Sequence, residues 1–128
     1  MSDILIYDRD RTFARSLETF FTGSGYTVET FDVGSRAVQK LLSGLYGVVV
    51  LGVHIDDVEE LEIIPIIHQI DRELPVVAVG DGESLEMERK VRLKKVFYYM
   101  VQPVDLDEMT EVVRRAIEGR EDRGIARK

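Results

Sequence analysis

The residues that could do chemistry stand where short apolar runs give way to loops. Ile4-Leu5-Ile6-Tyr7 ends at Asp8-Arg9-Asp10, and Val48-Val49-Val50-Leu51 ends at Gly52. Val76-Val77-Ala78-Val79 ends at Gly80, and Phe97-Tyr98-Tyr99-Met100-Val101 ends at Gln102-Pro103. Carboxylates gathered at such ends could hold a divalent cation or accept a phosphoryl group, and a lysine or hydroxyl beside them could steady the transferred oxygens. Here the most buried run ends in a glycine, which offers no nucleophile. Arg9 interrupts the acids.

Other polar groups assemble no better site. Asp56 and Asp57 follow Gly52 closely enough to be a displaced acceptor, but with no cation left to assist them they read as a solvated loop or a helix cap. His54 and His68 lack the spacing of a metal set and read as packing or surface residues. Asp81, between Gly80 and Gly82, reads as a turn residue. No nucleophile and base pair, metal cluster or glycine-rich phosphate loop can be assembled, so the chain is not expected to be an enzyme. It has no cysteine, which excludes disulfides and thiolate metal sites.

The elements that carry these positions alternate strand and helix five times. The 128 residues suit one domain, with residues 1–119 as the folded unit and 120–128 as a polar tail or the start of a linker. The strand at Tyr26 to Phe31 alternates and should lie at an edge, whereas Val48 to Leu51 should be central and buried on both faces. A third helix is expected from about Val58 to Asp71, with Pro65 kinking it or confining its regular part to the residues that follow. A fourth, Ser84 to Lys95, has Leu85, Val91 and Leu93 as apolar anchors and charges sorted along its dipole. Asp105 and Glu108 form a capping-box pattern ahead of the clearest apolar stripe, Leu106 to Ile117. The implied fold is α/β, a single (βα)5 flavodoxin-like three-layer sandwich with parallel sheet order 2-1-3-4-5.

A net charge of -7 argues against direct nucleic-acid binding by this domain. There is no apolar leader and no run long enough to span a membrane, so a cytoplasmic protein is expected.

The order and spacing of these pieces resemble the receiver domain of bacterial two-component response regulators, over roughly residues 3 to 118. The resemblance rests on Ile4 to Asp8, on Tyr46 to Leu61, on Pro75 to Val79, and on Tyr99-Met100-Val101-Gln102-Pro103-Val104-Asp105. In that family an aspartate at the end of the central strand accepts a phosphoryl group from a histidine kinase. Two consecutive acids hold Mg²⁺, and a Ser or Thr and a Lys contact the phosphoryl group. Carried over by position, the acceptor is Gly52, the acidic pair is Asp8 and Arg9, the hydroxyl position is Gly80 and the lysine position is Gln102. Only Asp8 survives. The charges of Asp8 and Arg9 cancel without a metal, so no cofactor and no Mg²⁺ are expected, and Arg9 is expected to pair with Asp8 or Asp10.

The resemblance therefore implies a degenerate member of a two-component or phosphorelay-type regulator. It would serve as a phosphorylation-independent interaction or dimerisation module in transcription regulation. The implied partner is a protein or output domain, or a second copy, met through the fourth helix, fifth strand and fifth helix. Tyr99 reads either as the family's switch aromatic or as a half-buried strand residue. Lys90 and Lys94 lie on the fourth helix, and Arg114 and Arg115 on the fifth could meet acids of a partner. Two alternatives stay open: a switch binding a small anion or nucleotide beside Gly52 and Gly80, and an active receiver using another aspartate.

Overall fold

The computed structural model describes residues 2–122. Five strands, β1 (Ile4–Tyr7), β2 (Val28–Phe31), β3 (Val48–Val53), β4 (Val76–Gly80) and β5 (Tyr98–Val101), form one sheet in the order β2-β1-β3-β4-β5. All neighbours are parallel. The helices are α1 (Arg11–Gly23), α2 (Gly34–Ser43), α3 (Ile63–Ile70), α4 (Leu85–Arg92) and α5 (Leu106–Asp122). This is the expected architecture.

Strand alternation sorts the core into two layers. Ile4, Ile6, Val48, Val50, Val77 and Val79 face α1 and α5, where Leu17, Phe21, Met109 and Val113 meet them. Leu5, Val49, Leu51, Val53, Val76 and Ala78 face the other way, onto Leu41 of α2, Ile64 and Ile67 of α3, and Met87 and Val91 of α4. Every residue of β3 is buried, as a strand covered on both faces requires. The edge strand β2 is only half-buried.

Helix boundaries depart from the sequence reading for local reasons. The stretch Val58–Glu62 is a 3-10 turn, and α3 starts only at Ile63, which leaves Pro65 in its first turn, where the missing N–H costs nothing. Leu85 and Leu93 do not anchor α4: they are 64% and 81% exposed, and Met87 and Val91, one turn apart, are the buried pair. Asp105 accepts from the backbone N–H of Glu108 at 3.1 Å, but the Glu108 carboxylate accepts instead from the Tyr98 hydroxyl at 2.7 Å, so the capping box is half made.

The polar end of the chain also holds a surprise. α5 continues to Asp122, and Arg120, grouped with the tail by its polar neighbours, is buried and meets Asp71 at 2.6 Å. The rest of the expected tail, residues 123–128, lies outside the described residues. No helix among the described residues is long and apolar enough to cross a membrane.

Candidate functional site

The parallel register brings the five sequence-marked positions to one edge of the sheet. Gly52 pairs with Val79 and Val53 with Gly80, while Gly80 pairs with Val101, just before Gln102. The Gln102 N–H donates to the Gly80 carbonyl at 2.9 Å. Asp8 and Arg9 follow β1, whose Tyr7 pairs with Leu51. The strand ends thus bring the backbone positions of Asp8, Arg9, Gly52, Gly80 and Gln102 to one edge, whatever their side chains do.

What the sequence did not convey is how the space is used. A Cβ placed on Gly52 would lie 2.0 Å from Oδ2 of Asp8 and 2.2 Å from its Cγ. The Asp8 carboxylate therefore sits where a side chain at position 52 would begin, and Asp8 is only 2% exposed. Its Oδ1 accepts from the Asp10 N–H at 2.8 Å and lies 3.3 Å from Nε2 of His54. On the other side of the ring, Nδ1 of His54 is 2.9 and 3.0 Å from the two carboxylate oxygens of Glu60. The His54 backbone N–H donates to the same Glu60 at 2.8 Å.

An imidazole is thus clamped between two buried carboxylates. Only as an imidazolium does the ring donate to both; as a neutral ring it donates to one carboxylate and accepts from the other, which then carries the proton. Burial pushes the carboxyl groups of Asp8 and Glu60 above the ordinary range, against the lowering effect of His54 on each. Asp8, His54 and Glu60 form one hydrogen-bonded unit rather than three separate groups.

Arg9 is not where the sequence placed it. Its guanidinium reaches neither Asp8 nor Asp10 but pairs with Asp56, and with Asp57 at 3.3 Å. Asp8 has turned inward to the space over Gly52, and Asp10 caps α1 by accepting from the Phe13 N–H at 3.2 Å. The nearest acids left to Arg9 are on the loop after β3, so Asp56 and Asp57 are not simply solvated. The nearer Glu60 oxygen lies 4.0 Å from Arg9 Nε, which links this rim to the buried unit. Asp81 does more than turn the chain: its carboxylate accepts from the Ile55 N–H at 3.0 Å and ties that loop to the end of β4.

At Gly80 the other vacancy is filled by an aromatic. A Cβ there would lie 2.7 Å from the Tyr99 hydroxyl. That hydroxyl is buried and has no hydrogen-bond partner among the described residues. Burial, reinforced by Glu88 and Asp81, raises its pKa.

The remaining sequence-marked cations are engaged close to home. Lys90 meets Glu86 at 3.0 Å and Lys94 meets Glu62 at 3.6 Å. Arg114 pairs with Glu111 and Glu118 at 2.6 and 2.7 Å, and Arg115 with Glu111 at 2.9 Å, all within α5. Such exposed pairs contribute little stability. Leu85 and Leu93 at the two ends of α4, Phe97 just before β5 and Leu106 at the start of α5 are exposed apolar residues on the same three elements.

Sequence reasoning missed His54 and Glu60. A signal existed for the first: His54 lies two residues after Gly52, so strand alternation points both to the same side. None existed for Glu60, which arrives through an irregular 3-10 turn.

Comparison with known proteins agrees with this geometry. The family model of the response regulator receiver domain matches residues 4–114. The chain is 27% identical over 114 residues to the DNA-binding transcriptional regulator NtrC of Azospirillum brasilense, covering 89% of this chain and 24% of that protein. It is 24% identical over 129 residues to the response regulator ArlR of Staphylococcus epidermidis, covering 98% of this chain and 57% of the relative. The chain thus spans between about a quarter and just over half the length of these two relatives. In fold it is similar to a CheY-like receiver domain protein from Methanospirillum hungatei, with TM-score 0.85, 20% identity and 96% and 98% of the two chains covered. Sheet order, strand-end geometry and the matched span together place this chain in the response regulator receiver domain family.

Proposed function

We propose that this receiver domain works without phosphorylation, as a protein-protein interaction or dimerisation module of a response regulator that acts in transcription. The observation that carries the reading is the position of Asp8. Its carboxylate occupies the space in which an acceptor side chain at position 52 would stand, and His54 holds it there. Phosphoryl transfer needs a nucleophile open to the donor and fixed positive charge around the transferred oxygens. Asp8 is enclosed and already paired, and no lysine or hydroxyl stands at Gln102 or Gly80.

The donor set does not fit Mg²⁺, which wants several oxygens and waters in octahedral array. His54 lies between Asp8 and Glu60, and Arg9 adds a second positive group at the rim. No step is assigned to a metal. A small anion or nucleotide is also a poor match, since the spaces over Gly52 and Gly80 are taken by Asp8 and Tyr99 and acids surround the first. Asp56 and Asp57 make a weak substitute acceptor because their cation, Arg9, is tied to both.

The exposed Leu85, Leu93, Phe97 and Leu106 support an interface on α4, β5 and α5, toward an output domain, another protein or a second copy. The transcriptional output rests on the similarity to NtrC. A cytoplasmic location follows from the same reading, and DNA contact would fall to a different domain. The test is intact mass after incubation with acetyl phosphate and Mg²⁺, for the natural chain and for Gly52→Asp. We expect no adduct on either. An adduct on the natural chain would overturn the reading.

A further inference from the structure

A second surface lies in the groove between α2 and α3. Two clefts, of about 590 and 430 Å³, meet along Val38 and Ile66 and make it continuous. Its apolar lining comes from Val38, Leu42 and Leu45 on one side and Ile63, Ile66 and Ile70 on the other. Leu42 is 68% exposed and Ile66 43%. Between Glu62 and Asp71 the sequence carries no Asp, Glu, Lys or Arg at all, so α3 offers an uncharged ridge where a solvated helix would alternate charges.

The charged groups around the groove have one sign. Glu59, Glu60, Glu62 and Asp71 line it, and no Lys, Arg or His does. Asp71 is paired with Arg120, and Glu60 is held by His54. Glu62 reaches Lys94 only at 3.6 Å, and Glu59 has no ion-pair partner among the described residues. The uncompensated charge therefore sits at one end, on the 3-10 turn. α2, with 10 residues, is about 15 Å long at 1.5 Å per residue, so the groove matches about three turns of a docked helix.

We propose that this groove receives an amphipathic helix of another protein, with an apolar stripe laid between α2 and α3 and Lys or Arg set over Glu59 and Glu62. Helix-in-groove docking of this kind uses apolar anchors at i, i+3 or i+4, and i+7. A second copy fits less well, because each chain carries a net charge of -7 and a symmetric contact would set the acidic turn against acids.

The probe is a synthetic helical peptide of about fourteen residues with a leucine stripe and lysines at one end, beside the same peptide with glutamates for lysines. Backbone amide shifts should move on α2, α3 and the 3-10 turn with the lysine peptide, and the glutamate peptide should bind at least about fivefold more weakly. Ile66→Asp should abolish binding. The double variant Glu59→Lys, Glu62→Lys, which alters no apolar contact, should reverse the preference between the peptides. Equal binding of the two peptides, shifts confined to α4 and β5, or no binding would overturn the proposal. Concentration-dependent dimers that Ile66→Asp abolishes would also overturn it, and assign the groove to a second copy.

Discussion

The two glycines at the strand ends, Gly52 and Gly80, have been filled in opposite ways. Over Gly52 a carboxyl group has entered that is held by partners: Asp8 by Asp10 and His54, His54 by Glu60. Over Gly80 a neutral hydroxyl has entered, and nothing answers it. Both are close approaches that only a residue without a Cβ permits. The first is a coupled ionic unit, in which loss of one member strands the others in a poorly solvated place. The second is a packing contact with an unmet hydrogen bond, which tolerates change. Glycines at strand ends need not leave a crevice, and what fills the space over them need not be equivalent in energy.

That contrast is broken most directly at its centre. His54→Ala should cost about 3 kcal/mol in chemical denaturation, because two buried carboxylates lose their shared partner. A loss below about 0.5 kcal/mol would mean that the unit is no more coupled than a surface pair. Gly52→Ala comes next, at about 2 kcal/mol, since its Cβ would fall 2.0 Å from Asp8 Oδ2 and expel the carboxylate.

Gly80→Ala should cost about 1 kcal/mol by turning Tyr99 out, and this cost should vanish in a Tyr99→Phe background, where the remaining ring atoms stand at 3.4 and 3.5 Å. Tyr99→Phe alone should leave stability unchanged or raise it by up to about 1 kcal/mol, since an unanswered hydroxyl is removed. A double-mutant cycle measures this coupling, and additivity would contradict the packing account.

The pH dependence sharpens the same comparison from the ionic side. A carboxyl whose pKa is raised by folding binds more protons in the native state, so its contribution is present below its ordinary pKa and is lost as pH rises through the raised one. Asp8 and Glu60 are both raised by burial. From about pH 4 upward, Asp8→Asn should therefore gain on the natural chain, seen as convergence or crossing of their stability curves. Parallel curves would show that Asp8 titrates alike in both states. The smallest effect belongs to the rim. Arg9→Ala should change stability by less than about 1 kcal/mol, because its pairs with Asp56 and Asp57 are exposed.

The architecture was legible because its causes are periodic. The all-apolar β3, the half-polar β2 and the turn chemistry between them fix a sheet order that no long-range contact had to reveal. The strand-end positions were legible too, since parallel register carries Asp8, Gly52, Gly80 and Gln102 to one edge whatever their side chains are. Arg9 and Glu60 were not. Their partners are set by side-chain reach across loops, with Arg9 meeting Asp57 48 positions on, and such pairing leaves no period in the sequence. The fourth helix failed differently: Leu85 and Leu93 look like anchors by type, but Met87, an unbranched residue, is the one buried beside Val91.

One contact lies at the far end of the sheet from all of this. Arg120 is buried near the end of α5 and holds Asp71, just ahead of β4. A polar helix end normally frays, yet this one is bolted to the floor of the sheet. The last turn of α5 is thereby a fixed bearing: a rotation of α5 has to break a partly buried ion pair before it can turn anything else.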